Sequence, residues 1–266
     1  MRLTVRSWNL FHGNAVPPGR RAYLEEMVRL ASADRPDVLC LQEVPVWALR
    51  RLEDWSGMRA IGAVAARPSL GPVQAPPSVG RVLTELHHGL LRSAFTGQAN
   101  AVLLAPRLRP REPEELALNA RGFRRAQARW LGLDLVTRLA WAKERRVCVA
   151  VRVSLPEAGT ALVANLHATS YHPDERLPDA ELRRALAFVE ALARPDEPVI
   201  LCGDANVAAA RSRTLADLRG FSDPLPGIDQ VLVRGFAAEA CVWPEERRRL
   251  DGRLLSDHAP VEAVLA

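Results

Sequence analysis

The sequence predicts an α/β protein, and two observations carry that prediction. Short apolar runs of strand length alternate along the chain with stretches of helical period. Polar residues recur at the ends of those strand-like runs, where α/β architectures place their sites. Leu3 to Trp8 reads as the first strand, alternating in character. A helix is predicted over Arg20–Ala33, because Leu24, Met27, Val28 and Ala31 fall at i, i+3, i+4 and i+7 on one face. Pro36 ends it, and Val38–Leu41 reads as a buried strand running into Gln42-Glu43. Residues 63–80, rich in Pro, Gly, Ala and Ser, read as a long loop, followed by a short helix over Val82–Ala94. Further strands are predicted over Ala101–Leu104, Val147–Val153 and Ala161–Leu166. A helix over Asp179–Arg194 carries Leu182, Ala185, Leu186, Val189 and Leu192 on one face. The last strands are Val199–Cys202, closed by Gly203, then Ile228–Val233 and Val261–Leu265.

Composition narrows the class. A chain of 266 residues, 48% hydrophobic, can bury a sizeable core. No apolar run approaches the ~20 residues of a membrane span. No basic region followed by an apolar stretch marks the start, so a cytoplasmic location is expected. The cysteines Cys40, Cys148, Cys202 and Cys241 form no C-x-x-C pair and read as free buried thiols. The formal charge is +5, and Lys143 is the sole lysine. With so much Ala, Leu and Pro, this arginine content reads as coding bias, and it favours anionic partners only weakly. Residues 106–146, dense in Arg with Trp130 and Trp141, read either as a substrate-facing insertion or as a solvated excursion over a sheet edge. The solvated reading is preferred. There is no internal repeat or obvious linker, so one domain over residues 1–266 is expected, acting as a monomer.

Six segments place polar residues at or just after strand ends: Trp8-Asn9, Gln42-Glu43, Asn165-Leu166-His167, Gly203-Asp204-Ala205-Asn206, Ile228-Asp229-Gln230 and Ser256-Asp257-His258. Each alone is weak, since Asp after Gly is a common turn pair. The ordered set resembles the endonuclease/exonuclease/phosphatase superfamily, which includes abasic-site endonucleases, pancreatic-type deoxyribonucleases, neutral sphingomyelinases and inositol-polyphosphate 5-phosphatases. Gly203-Asp204-Ala205-Asn206 and the terminal Ser256-Asp257-His258 are the specific part, and Gly97 to Leu103 resembles a family strand. Phe11 stands where some branches carry an acidic residue.

The resemblance implies a four-layer α/β/β/α sandwich of two mixed β-sheets flanked by helices, with Mg²⁺ or Mn²⁺ at one edge. The chemistry agrees, because a hard cation offsets the charge of a phosphoester and takes oxygen ligands, with few carboxylates needed. Glu43 is the expected metal ligand, supported by Asn9, with Asp257 as a second carboxylate. Asp204 is expected to orient or deprotonate water, and Asn206 to donate to a phosphate oxygen. Asp229 is expected to fix the tautomer of His258, and His167 to contact the phosphate or leaving group. Whether Asp204 or the His258–Asp229 pair is the base stays open. His12 is placed either in the cleft or on the surface, as is His172; His87 and His88 are read as solvated. The expected activity is hydrolysis of phosphodiesters in DNA or RNA. The alternatives are a lipid or small-molecule phosphoester, and an inactive member that binds a phosphorylated partner.

Overall fold

Period-2 alternation builds two mixed sheets in the computed structural model, which describes residues 2–67, 97–155 and 159–266, together with 69–70, 73–74, 76, 78–79 and 81–82. In the first sheet the order is β13 (Ala238–Val242), β16 (Val261–Leu265), β1 (Leu3–Asn9), β3 (Val38–Val44), β7 (Gln98–Leu104) and β4 (Arg59–Ala66). Only β1 and β3 are parallel neighbours. In the second the order is β12 (Asp229–Arg234), β11 (Val199–Asp204), β10 (Gly159–His167), β9 (Val147–Leu155) and β8 (Arg109–Ala117). Here β10 and β11 are the parallel pair. A small sheet joins β14 (Arg249–Leu250), β15 (Arg253–Leu255) and β2 (Ala15–Val16), and β5 (Ser69–Leu70) pairs with β6 (Val73–Gln74).

The two large sheets pack face to face. Leu3, Val5, Val38, Cys40, Val102 and Leu104 from the first share one buried cluster with Val149, Val151, Val163, Ile200 and Val231 from the second. The alternate residues face outward and meet helices. Met27, Val28 and Ala31 of α1 (Leu24–Ser32) and Leu52 of α2 (Leu52–Ser56) pack on Trp8, Leu39, Leu41 and Leu103. On the other side, Leu182, Ala185 and Val189 of α5 (Arg176–Leu192) pack on Leu162, Ala164, Leu166 and Leu201. The result is a four-layer α/β/β/α sandwich. Between β8 and β9 lie α3 (Arg121–Trp130) and α4 (Leu135–Ala142), and α6 (Arg213–Ala216) follows β11. Trp141 of α4 is buried against Ala128, Leu133 and Leu177, which seats the α3–α4 pair on the start of α5.

Some expectations are revised. Residues 63–66 complete β4, and 69–70 and 73–74 form a strand pair where a loop was expected. The helix expected over Val82–Ala94, apart from its start, lies outside the described residues, as do His87 and His88. The 106–146 stretch forms an exposed edge strand and two helices. The edge strand β8 holds Pro110 and Pro113, tolerated because one side of an edge strand makes no ladder hydrogen bonds. A bulge between Arg111 and Glu114, with Glu112 at φ +49°, accommodates them. Cys40, Cys148 and Cys202 are buried, but Cys241 is exposed on the edge strand β13. Among the described residues no helix is long and apolar enough to cross a membrane.

Candidate active site

The inner face of the sandwich turns polar towards one end. The positions that carry Leu3 and Val5 on β1 continue to Ser7 and Asn9, and those carrying Val38 and Cys40 on β3 continue to Gln42. On β10 the series Ala161, Val163 runs on to Asn165 and His167; on β11, Ile200 and Cys202 run on to Asp204. The first polar layer is structural. Asn165 donates its Nδ2 hydrogens to the carbonyls of Leu41 and Ala101, both at 2.9 Å, and accepts from Gln42 Nε2 at 2.7 Å. Both side chains are buried, so these bonds satisfy groups that would otherwise be costly to desolvate.

Above that layer the functional side chains converge. Asn9 Nδ2 donates to Asp204 Oδ2 at 3.0 Å and reaches Glu43 Oε1 at 3.4 Å, while its Oδ1 accepts from the Phe11 N–H at 3.0 Å. Asn9 therefore bridges the two carboxylates through its nitrogen. His167 Nε2 lies 3.6 Å from Asp204 Oδ2 and 3.7 Å from Glu43 Oε1. His258 Nδ1 is 2.9 Å from Asp229 Oδ2, and its Nε2 faces Asp204 Oδ2 at 3.8 Å. Asp204, Asp229 and His258 can each present one ligand atom within 4.8 Å of the others. Asn206 donates its backbone N–H to Asp204 Oδ1 at 2.9 Å and its side-chain amide to the Ala168 carbonyl at 3.0 Å. Asp257 is exposed next to His258 and is not part of that three-residue group.

Unusual backbone puts these groups in place. Of the nine described non-glycine residues with positive φ, five flank or form the site: Phe11, His12, Glu43, Asn206 and Ser256. Each such backbone costs about 1–3 kcal/mol, which the contacts around it must offset. Glu43, at φ +52°, sits in a bulge where the β3–β7 register shifts between Leu41 and Val44. A bulge re-aims a side chain that plain alternation would send to the other face. The left-handed turn at Phe11 and His12 brings His12 Nε2 to 3.2 Å from Glu43 Oε2. Pairing of β15 with β2 delivers Ser256, whose hydroxyl donates to the Asn9 carbonyl at 2.7 Å and accepts from the His258 N–H at 3.1 Å.

Burial and charge set the proton affinities. Asp204 is buried, and the neighbouring Asp229 charge adds to that effect, so its carboxyl is pushed up despite His258 and the Asn9 and Asn206 donors. Burial opposes the charged form of His258, but the hydrogen bond and charge of Asp229, then Asp204 and Asp257, outweigh it and raise the imidazole to about 10. His167 is held well below its usual range by burial first, then by the charges of Arg146, His258 and His12. At neutral pH the site thus pairs a cationic His258 with a neutral His167.

Arg146 and Gln98 were not read as site residues from sequence, and neither were the residues just after β10. A cleft of about 400 Å³ opens beside Glu43, lined by Phe11, His12, Gln98, Lys143, Glu144, Arg146, Thr169 and Tyr171. Arg146 lies 3.1 Å from the ring nitrogens of His167 and is braced by Glu144 at 2.6 Å and Gln98 at 3.3 Å. The end of the 106–146 stretch therefore faces the site. His12 is buried in the cleft wall, whereas His172 is exposed.

Three carboxylates converge with few cations to offset them, and the buried Asp229 Oδ1 has no hydrogen-bond partner. Such a carboxylate-rich donor set fits a hard divalent cation that takes oxygen ligands. The fold and this site define a metal-dependent phosphoester hydrolase. The chain belongs to the Endonuclease/Exonuclease/phosphatase family, whose profile matches residues 7–258. A functionally unknown conserved protein from Enterococcus faecalis superposes with a TM-score of 0.68 at 14% identity, covering 99% of each chain. The human Nocturnin catalytic domain with bound sulfate gives 0.66 at 16% identity, over 100% of this chain and 93% of that one. A humanized D. rerio TDP2 gives 0.65 at 16% identity, over 100% and 99%. A search of curated proteins returns no match.

Proposed function

We propose that the protein is a phosphodiesterase in which Asp204 positions and deprotonates the attacking water and the His258 imidazolium stabilises charge on the phosphoryl group. One observation carries this division: His258 Nδ1 is bonded to Asp229 at 2.9 Å while its Nε2 faces Asp204 at 3.8 Å. The bond and charge of Asp229 raise the His258 imidazole, which favours its cationic form at neutral pH and suits it to charge stabilisation. The buried Asp204, pushed up, is the group with affinity to spare. Glu43, beside Asn9, is the carboxylate that would hold Mg²⁺ or Mn²⁺, leaving Asp204 and Asp229 to the proton roles, and the ion would supply charge neutralisation on the phosphoryl oxygens. Asn9 keeps Glu43 and Asp204 in register, and Asp229 fixes the ring of His258.

Nucleic acid as substrate is supported by the basic balance and by Arg146 and Lys143 in the cleft. A lipid phosphoester is supported by a different observation, the exposed Leu135, Val136 and Leu139 on α4, the helix that also lends Ala140 to the cleft wall. The test is a panel of DNA, RNA, phospholipid and inositol phosphate substrates with Mg²⁺, Mn²⁺ and chelator, with Asp204→Asn as the blank. Turnover on one class should fall on the order of 100- to 10,000-fold in the variant. Affinity for a nucleic acid should drop steeply with salt as counterions are released. Inactivity of the wild type on every ester, or unchanged turnover in Asp204→Asn, would sink the proposal.

A further inference from the structure

We infer that the α3–α4 pair is a docking surface for an anionic lipid bilayer, with the mouth of the active-site cleft at its edge. The helix α4 has two unlike faces. Thr137 and Trp141 are buried, and Trp141 is anchored by its hydrogen bond to Glu181. On the opposite face Leu135, Val136 and Leu139 are 69%, 72% and 63% exposed, and Trp130 at the end of α3 is 73% exposed. Single exposed apolar residues are ordinary, but these four form half of the large hydrophobic side chains exposed among the described residues, and they lie within ten positions.

Charge selects the occupant. Between Arg121 and Lys143 the chain carries Arg121, Arg124, Arg125, Arg129, Arg138 and Lys143 against Asp134 alone, a local excess equal to the +5 of the whole protein. Exposed aliphatic and indole side chains on a strongly cationic helix pair match the two layers of a membrane surface, acyl chains below and anionic headgroups above. A second copy of the chain would set these cations against one another across a self-complementary interface. A nucleic acid strand would use the arginines and Trp130 but leave Leu135, Val136 and Leu139 in water.

The geometry also gives the docking a use, which rests on the phosphoesterase reading above. Val136, Ala140 and Lys143 fall at i, i+4 and i+7 on one side of α4, and the last two line the cleft. A bilayer met by Leu135, Val136 and Leu139 would present its headgroup phosphoesters at that opening.

The test needs no turnover, so it fails or succeeds separately from that reading. Sedimentation of the full chain, in chelator, with vesicles of phosphatidylcholine alone or mixed with phosphatidylglycerol should show binding to the mixed vesicles at least 10-fold tighter. Leu135→Ser/Val136→Ser/Leu139→Ser should lose at least 10-fold of that affinity while keeping its thermal unfolding. Arg121→Ala/Arg125→Ala/Arg129→Ala should lose the preference for anionic vesicles. Absence of vesicle binding by the wild type would overturn the inference, as would equal binding by the triple serine variant. It would also be overturned if sedimentation velocity showed a dimer that the serine variant splits, or if the serine variant lost affinity for a single-stranded oligonucleotide instead of for vesicles.

Discussion

A Cβ atom at Gly203 would lie 1.9 Å from the carbonyl oxygen of Leu166, its partner across the parallel β10–β11 pair. With φ at +134°, position 203 also has a backbone that side chains rarely adopt. The close approach allows Asp204, one residue on, to enter the space between the sheets. Gly203→Ala should therefore destabilise the protein by about 3 kcal/mol or more, from overpacking and strain together. Chemical denaturation reads this directly, and an unchanged midpoint would show that the strands part more easily than the geometry implies.

Asp229 Oδ2 lies 2.9 Å from His258 Nδ1, and in the proposed mechanism it acts through that ring. Asp229→Asn should cut turnover on the order of 100- to 10,000-fold while leaving the fold intact. A structural role alone would not move the titration of His258. Its imidazole is raised to about 10 with Asp229 present, so removing that charge must lower it and shift the alkaline limb of the rate profile to lower pH. NMR titration of the His258 ring in metal-free protein tests this; an unmoved midpoint rejects the assignment.

Arg146 is the buried cation of the cleft, next to His167. Arg146→Ala should lower kcat/KM roughly 10- to 100-fold, the worth of a charge-assisted hydrogen bond. Arg146→Lys should recover part of it, because charge returns without the planar fork. Equal rates in all three proteins would place Arg146 outside the reaction.

Far from the site, Glu197 binds Arg152 at 2.7 Å, with both side chains nearly inaccessible. Burial alone would raise Glu197; its bonds from Arg152, the Arg194 N–H and Thr160 more than offset this and hold it below the usual range. A carboxylate held down contributes stability above its unfolded value, near 4.5, and loses it as pH falls through the folded value. Glu197→Gln should thus flatten the acid side of the stability profile, and should cost about 1–3 kcal/mol at neutral pH, the guanidinium keeping Glu112 and the Leu192 carbonyl as partners. Melting temperatures measured from pH 3 to 7 decide the matter; parallel curves for the two proteins would exclude Glu197 as the acid-labile group.

Central strands and helices α1 and α5 are readable because a buried face leaves a period in the sequence. Leu24, Met27, Val28 and Ala31 spell out α1, and Val199 to Cys202 spell out β11. Edge elements were not readable, since they bury little. In β8 the exposed Arg, Glu and Pro residues hide the strand, and in β4 the Ala and Gly residues resemble a loop. Polar residues at strand ends are legible, and the structure brings Asn9, Asp204 and His167 together at one edge. Gln98 and Arg146 escaped because β7 and β9 run antiparallel to β3 and β10, so it is their beginnings that reach the same edge. His12 could not be placed, because its position depends on a left-handed turn rather than on any period.

The hydrogen bonds from Asn165 to Leu41, Ala101 and Gln42 work like a dovetail between the two halves of the sandwich. Glu43 sits just beyond one side of this joint and His167 just beyond the other. Any slip of one sheet over the other would shear the joint and misalign the reacting groups in the same movement. Loss of activity should then coincide with loss of inter-sheet packing, leaving no expanded state that is still able to turn over substrate.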